Sequence, residues 1–330
     1  MLKFGTLGMA LAVTLAWSLA ASAEECKPLQ RYGKIPFEGA DELMINLPAS
    51  LGGKQTMLTL DTGAYWSTIR RDLVDTLGLR SRQGTGLYML DLAGEKMDRV
   101  AIVPEVKVGT LAYGAAEFFI AAPPPVPVEK HAGLMGQNLL NKIDIEIDNA
   151  NRTVSLFSQD HCDGDGVYWS DEAVVLEFKR SETSAMHASR MKQDEQKPSN
   201  DYDVPLVWAQ FEGRNVAVLF DTGATNTSMD LDLAKNIFGI DEHSTGVKPA
   251  GEARVANGGT VDTYSYTFKK LTVAGVTFEN VPVLLSKFDG NTDVLLGMHE
   301  LRHLHLYIAY KEGRIYITAA DAGSAAPKPK

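Results

Sequence analysis

Asp61 and Asp221 are the residues of this 330-residue chain whose surroundings point to chemistry. Each ends an apolar run and opens the same four letters. Met57-Leu58-Thr59-Leu60 leads into Asp61-Thr62-Gly63-Ala64, and Val216-Ala217-Val218-Leu219-Phe220 into Asp221-Thr222-Gly223-Ala224. An apolar strand stopped by an acid and a glycine turn pushes one carboxylate out of the core. A single such turn is an ordinary surface feature. Two copies, each followed by Ala and each with a hydroxyl six residues after the acid (Ser67 and Thr227), argue for a duplicated unit instead. Two carboxylates held about 3 Å apart cannot both ionise cheaply, so they share one proton. The charged member takes a proton from a water between them, and the protonated member polarises a carbonyl. This chemistry uses neither metal nor cofactor, and the pair titrates as a unit.

The elements that must position these acids repeat with them. Gly136 lies 75 residues after Asp61, in Leu134-Met135-Gly136, and Gly297 lies 76 residues after Asp221, in Leu295-Leu296-Gly297. A helical turn and a strand are expected after each. A period near 160 residues describes two copies of one lobe rather than a short-repeat array. A hairpin turning at Gly52-Gly53 feeds the first acid, and one turning at Glu212-Gly213 feeds the second. Helices are expected over 70–79 and 231–238. Hairpins with tips at Ala93-Gly94 and Gly258-Gly259 follow, and many short strands imply an all-β protein.

These residues resemble the retropepsin-like aspartic proteases, through DTGA and a late apolar-apolar-Gly, each found twice. The likeness covers roughly 41–157 and 203–318. It implies two closed β-barrel lobes related by a pseudo-two-fold axis, as in the pepsin and retropepsin folds. It implies an aspartic endopeptidase with Asp61 and Asp221 as catalytic pair and a polypeptide as substrate. In the family the loop threonines grip across the axis, and Thr62 and Thr222 match them. Gly63 and Gly223 let the loops approach closely, and Ala64 and Ala224 complete each motif. The tips at Ala93, Gly94, Gly258 and Gly259 become flap candidates that close on an extended peptide bound by strand addition. Viral members supply one motif per subunit; here both lie in one chain, so a monomer suffices, and a homodimer stays open. Pepsin-like members commonly carry Ser or Thr where this chain has Ala64 and Ala224. Losing that hydroxyl donor raises the carboxyl pKa, so activity is expected at weakly acidic to neutral pH. Bulky Tyr65 and Trp66 after the first motif are expected to narrow the cleft.

Lys3, the apolar run Phe4–Ala20 and Ala21-Ser22-Ala23 read as a secretory signal over 1–23, removed before Glu24. A first lobe over 24–178, a charged linker over 179–202, a second lobe over 203–318 and a tail over 319–330 follow. The destination is the periplasm or the exterior, with no membrane attachment once the signal is removed. Cys26 and Cys162, the only cysteines, flank the first lobe, and an oxidising compartment allows a disulfide between them; two independent thiols are the alternative. Net charge −10 without a basic cluster argues against nucleic acid.

Two rival readings remain. His299-Glu300-Leu301-Arg302-His303 matches the zinc-peptidase pattern, which requires a helix long enough to present both histidines on one face. The matching stretch of the first lobe, Asn138 to Lys142, has no ligands. A secreted binding or scaffold protein that keeps the lobes and cuts nothing is the other; retention of both acids argues against it.

Overall fold

The computed structural model describes residues 26–38, 43–84, 88–90, 96–123, 130–178, 204–254, 260–288 and 293–321. The polypeptide is almost wholly β and forms two lobes built to one plan. In the first, Asn46–Leu51 and Lys54–Leu60 make the expected hairpin around Gly52 and Gly53, both at positive φ. In the second, Leu206–Phe211 and Arg214–Phe220 turn at Glu212 and Gly213, again both at positive φ. Two successive left-handed residues give the turn whose twist suits paired strands. Leu58, Leu60, Val218 and Phe220 are fully buried, which is why each strand ends where its acid must leave the core.

The apolar-apolar-Gly elements lie beside these strands. His131–Met135 runs parallel to Lys54–Leu60, and Val294–Leu296 runs parallel to Arg214–Phe220. The Asp61 amide donates to the Met135 carbonyl at 3.0 Å, and the Asp221 amide to that of Leu296 at 3.0 Å. Beyond each acid come a short strand and a helix: Thr68–Arg70 then Arg71–Thr76, and Ser228–Asp230 then Leu231–Leu233. The first helix is shorter than the 70–79 expected. The second, capped by the Asp230 carboxylate, continues as a wider turn over Ala234–Phe238 and stops at Gly239. A long hairpin completes each lobe, Arg99–Val108 with Leu111–Ala121 and Thr260–Val273 with Val276–Ser286.

A six-stranded sheet joins the lobes. Its order is Arg31–Pro36, Thr153–Phe157, Asp144–Asp148, Leu304–Ala309, Arg314–Ala319, Val174–Glu177. The central seam pairs the two lobes antiparallel, Ile145 with Ile308 and Ile147 with Leu306, all buried. Strand alternation puts Asp144, Glu146 and Asp148 on the opposite face. There Glu146 pairs with Tyr307 and Asp148 with His305.

Buried carboxylates need partners. His161 binds Asp144 at 2.8 Å, while Tyr168 donates to Glu146 at 2.7 Å and His305 lies 3.0 Å from it. Trp169 stacks on His305 at 4.1 Å. Residues 158–173 thus form a strap across this face. The Cys26–Cys162 disulfide, spanning 136 residues, ties the strap to the start of the chain. The pairing of the two cysteines is therefore as expected.

Two outcomes follow. Replacing both cysteines by Ser should lower stability by about 4–5 kcal/mol on the loop-entropy account, read from denaturant midpoints; an unchanged midpoint would show that the strap holds without its covalent tie. The hydrogen bond to Asp144 raises the His161 pKa to about 9. Because the folded value lies above the unfolded one of about 6.5, this stabilisation is complete below the lower value and disappears as pH rises through the upper. His161→Gln should flatten the fall in melting temperature across that window, and an unaltered pH slope would contradict the assignment.

Candidate active site

The two acids meet between the lobes. Asp61 and Asp221 are each 8% exposed, and their carboxyls face one another across the two loops. Each acid also abuts the glycine of the opposite loop. A methyl group placed on Gly63 would lie 2.5 Å from Cγ of Asp221, and one on Gly223 would lie 2.4 Å from Cγ of Asp61. Any side chain there would drive the carboxyls apart, so both positions require glycine for close approach rather than for backbone angle.

The threonines hold this arrangement. Thr62 Oγ1 donates to the Phe220 carbonyl at 2.5 Å and accepts from the Thr222 amide at 3.1 Å. Reciprocally, Thr222 Oγ1 donates to the Leu60 carbonyl at 2.7 Å and accepts from the Thr62 amide at 3.2 Å. Both side chains are buried, and each hydroxyl crosses to the other lobe, so neither loop is satisfied alone.

Each carboxylate is oriented by its own loop. Asp61 Oδ1 accepts from the amides of Gly63 at 3.0 Å and Ala64 at 2.9 Å. Asp221 Oδ1 accepts from Gly223 at 2.9 Å and Ala224 at 3.2 Å. Burial pushes both acids above the usual carboxylate range, and for Asp61 the charge of Asp221 adds to it. The amide donors oppose this on both sides. The pair therefore retains a proton at pH values where free carboxylates have lost theirs.

The hydroxyls six residues after each acid fasten the loops from behind. Ser67 Oγ accepts from the Gly136 amide at 2.9 Å and donates to Asn138 Oδ1 at 2.7 Å. Thr227 Oγ1 accepts from the Gly297 amide at 3.2 Å and donates to the Glu300 carboxylate. Gly136 and Gly297 press against the loop backbones: an added Cβ would lie 2.6 Å from the Trp66 carbonyl carbon and 2.4 Å from the Asn226 oxygen. Sequence reasoning identified Ser67 and Thr227 as repeated but not their partners Asn138 and Glu300. It also missed Gln137, fully buried, whose Nε2 donates to the Thr62 carbonyl at 2.7 Å.

The zinc-peptidase pattern is not built as that chemistry needs. Its helix spans only Met298–Leu301, so His303 lies beyond it. Glu300 is buried, accepting from Thr227 and lying 2.8 Å from His299 Nδ1. It serves the loop rather than a water. Among the described residues no group of three or more His, Cys, Asp or Glu side chains is arranged to hold a metal ion.

The flap candidates Ala93, Gly94, Gly258 and Gly259 lie outside the described residues. Their flanks do pair, Met89 with Met97 and Arg254 with Thr260. Trp66 packs edge-on to Phe119 at 5.8 Å between ring centres and joins Met89 and Met97 in one apolar cluster, while its Nε1 donates to the Glu117 carbonyl at 3.1 Å. Burial pushes the Tyr65 hydroxyl up to about 12.

Two duplicated loops grip each other through reciprocal threonine bonds and bring two buried acids face to face, the arrangement that acid-protease chemistry requires. The chain belongs to the aspartyl protease family, whose model matches residues 47–139 and again residues 207–299. It is therefore a peptidase. Among solved structures it is similar to the aspartic proteinase from Irpex lacteus, 12% identical over 90% of this chain and 99% of that one, with a TM-score of 0.47. It is also similar to a retropepsin-like aspartic protease from Rickettsia conorii, 18% identical over 44% of this chain and 99% of that one, with a TM-score of 0.30. No curated protein matches the chain.

The retained proton fixes a sign. The folded pair binds more protons than two unfolded carboxylates, whose pKa is about 3.9, so stability declines as pH rises above that value. Asp221→Asn removes the need to take up that proton on folding. It should raise the melting temperature at pH 7 by about 3 °C or more and change it less at pH 3.5. An equal effect at both values would mean that the acids do not interact.

Proposed function

We propose that this chain is an aspartic endopeptidase that hydrolyses internal peptide bonds of a polypeptide through a water activated between Asp61 and Asp221. The observation that carries the reading is the packing of two buried carboxyls against each other's loops, each pressed on the glycine of the opposite motif. One carboxylate takes the proton of the attacking water. The other, protonated, donates to the scissile carbonyl, and return of a proton to the leaving nitrogen completes the cycle. Thr62 and Thr222 keep the lobes in register, and the amides of Gly63, Ala64, Gly223 and Ala224 orient the acids.

The substrate binds extended between the lobes, adding a strand to the protein's own. With both acids drawn from one chain across the seam of the six-stranded sheet, a monomer completes the site. Ala64 and Ala224 place no side-chain hydroxyl beside the acids, which favours activity at weakly acidic to neutral pH. The amino-terminal signal pattern and the Cys26–Cys162 disulfide support export to the periplasm or beyond.

Asp61→Asn and Asp221→Asn, assayed separately on a library of internally quenched peptides, should each lower kcat/KM by at least about 10³-fold. A statine-type inhibitor should stop the wild-type enzyme and a chelator should not. Full activity in either Asn variant would end the composite-site reading. Tight peptide binding without cleavage would favour the binding protein, and an optimum at pH 2–3 would refute the proposed pH range.

A further inference from the structure

The two catalytic loops share their threonine grip and their glycine turns, but they differ in what stands behind the peptide that follows each Thr. In the first lobe this peptide joins Thr62 to Gly63. Its N–H donates to Asp61 Oδ1 at 3.0 Å, and its carbonyl accepts from Gln137 Nε2 at 2.7 Å. Gln137 is fixed in turn, its Oε1 accepting from Asn141 Nδ2 at 2.6 Å. Counting from Gly136 and Gly297, the residue matching Gln137 in the second lobe is Met298, also fully buried, whose thioether has no proton to donate. The Thr222–Gly223 peptide thus lacks this support.

We propose that Gln137 is a positioning residue that breaks the symmetry of the dyad, by polarising the Thr62–Gly63 peptide and strengthening its hydrogen bond to Asp61. The inference rests on the Asp61–Asp221 reading above. Its physical basis is cooperativity. A donor on a peptide carbonyl makes the N–H of the same peptide a better donor. A better donor to a carboxylate favours the charged form. Gln137 is fully buried, and the low local dielectric strengthens both effects.

The link does not end at Gln137. Gln159 Nε2 donates to the Asn141 carbonyl and to Asp144 Oδ1, at 3.2 Å each. Asp144 is the partner of His161, which adjoins the disulfide. A polar path therefore runs from the strap on the outer face of the six-stranded sheet to the Asp61 loop. The titratable groups along it are Asp61 and Asp221 in front, the Tyr310 hydroxyl beside Gln137, and the Asp144–His161 pair behind Gln159, with the Tyr307 hydroxyl bonded to both members and Glu312 close to His161. Gln137 itself does not titrate, so any change of pH profile on replacing it is expressed through these groups.

Gln137→Met tests this with a side chain of similar length that the second lobe already accommodates. In the full exported chain, the acidic limb of kcat/KM should move up by about half a pH unit, and kcat should fall by about three- to tenfold with KM within about twofold. A packing defect alone would lower the melting temperature and leave the limb in place. Should Gln137→Met fail to fold, Asn141→Leu frees Gln137 Oε1 and should move the limb in the same direction by less. A limb superimposable on wild type in either folded variant overturns the proposal. If Asp61→Asn and Asp221→Asn remain active, the dyad reading fails first; if they are inactive while the limb stays fixed, only the role of Gln137 is lost.

Discussion

Two carboxyls in contact inside a protein repel each other once both are charged, and the whole architecture of this chain answers that constraint. The contact exists because each acid rests on a glycine of the opposite loop, with no space for a β-carbon. It persists because Thr62 and Thr222 exchange hydrogen bonds whose donors and acceptors lie in different lobes. Separating the lobes would leave buried hydroxyls, amides and carbonyls unpaired at once, at about 1–3 kcal/mol each. The six-stranded sheet supplies the rigid seam that lets these short bonds form without further ordering. Catalytic competence and lobe association therefore depend on the same few atoms.

Much of this was legible in the sequence because close approach leaves few choices of residue. Only glycine fits at 63 and 223, only a hydroxyl both donates and accepts at 62 and 222, and both hairpin turns carry residues that tolerate positive φ. The cysteine pairing was legible because there were only two candidates. The seam was not. Asp144, Glu146 and Asp148 alternate with isoleucines as in any half-exposed strand, and nothing local says that a strap covers them. Gln137 was invisible for a similar reason. A lone glutamine after a glycine carries no periodic signal, and its meaning lies in a carbonyl 75 residues away. Trp66 shows the limit of size as a guide: the ring packs into the Phe119–Met97 cluster, which a reading from bulk alone could not place.

Duplication made the two loops, and divergence of the copies makes the seam between them specific to unlike lobes. The seam registers Glu146 against Tyr307 and Asp148 against His305. Counted from Gly136 and Gly297, Tyr307 is the second lobe's equivalent of Glu146, and His305 its equivalent of Asp144. Two copies of the first lobe meeting at this seam would therefore set Glu146 against Glu146 and Asp144 against Asp148, twice over, in a buried face. Like charges directly opposite across antiparallel strands are destabilising, and burial makes the cost larger. The second lobe replaces those acids with His305, Tyr307 and Ala309, so that a histidine and an aromatic ring face the carboxylates instead. The same substitution gives Glu146 the His305 contact and provides the ring on which Trp169 stacks. Pairing of unlike lobes is thus written into the chemistry of the seam, and with it the freedom of the two acids to be unlike.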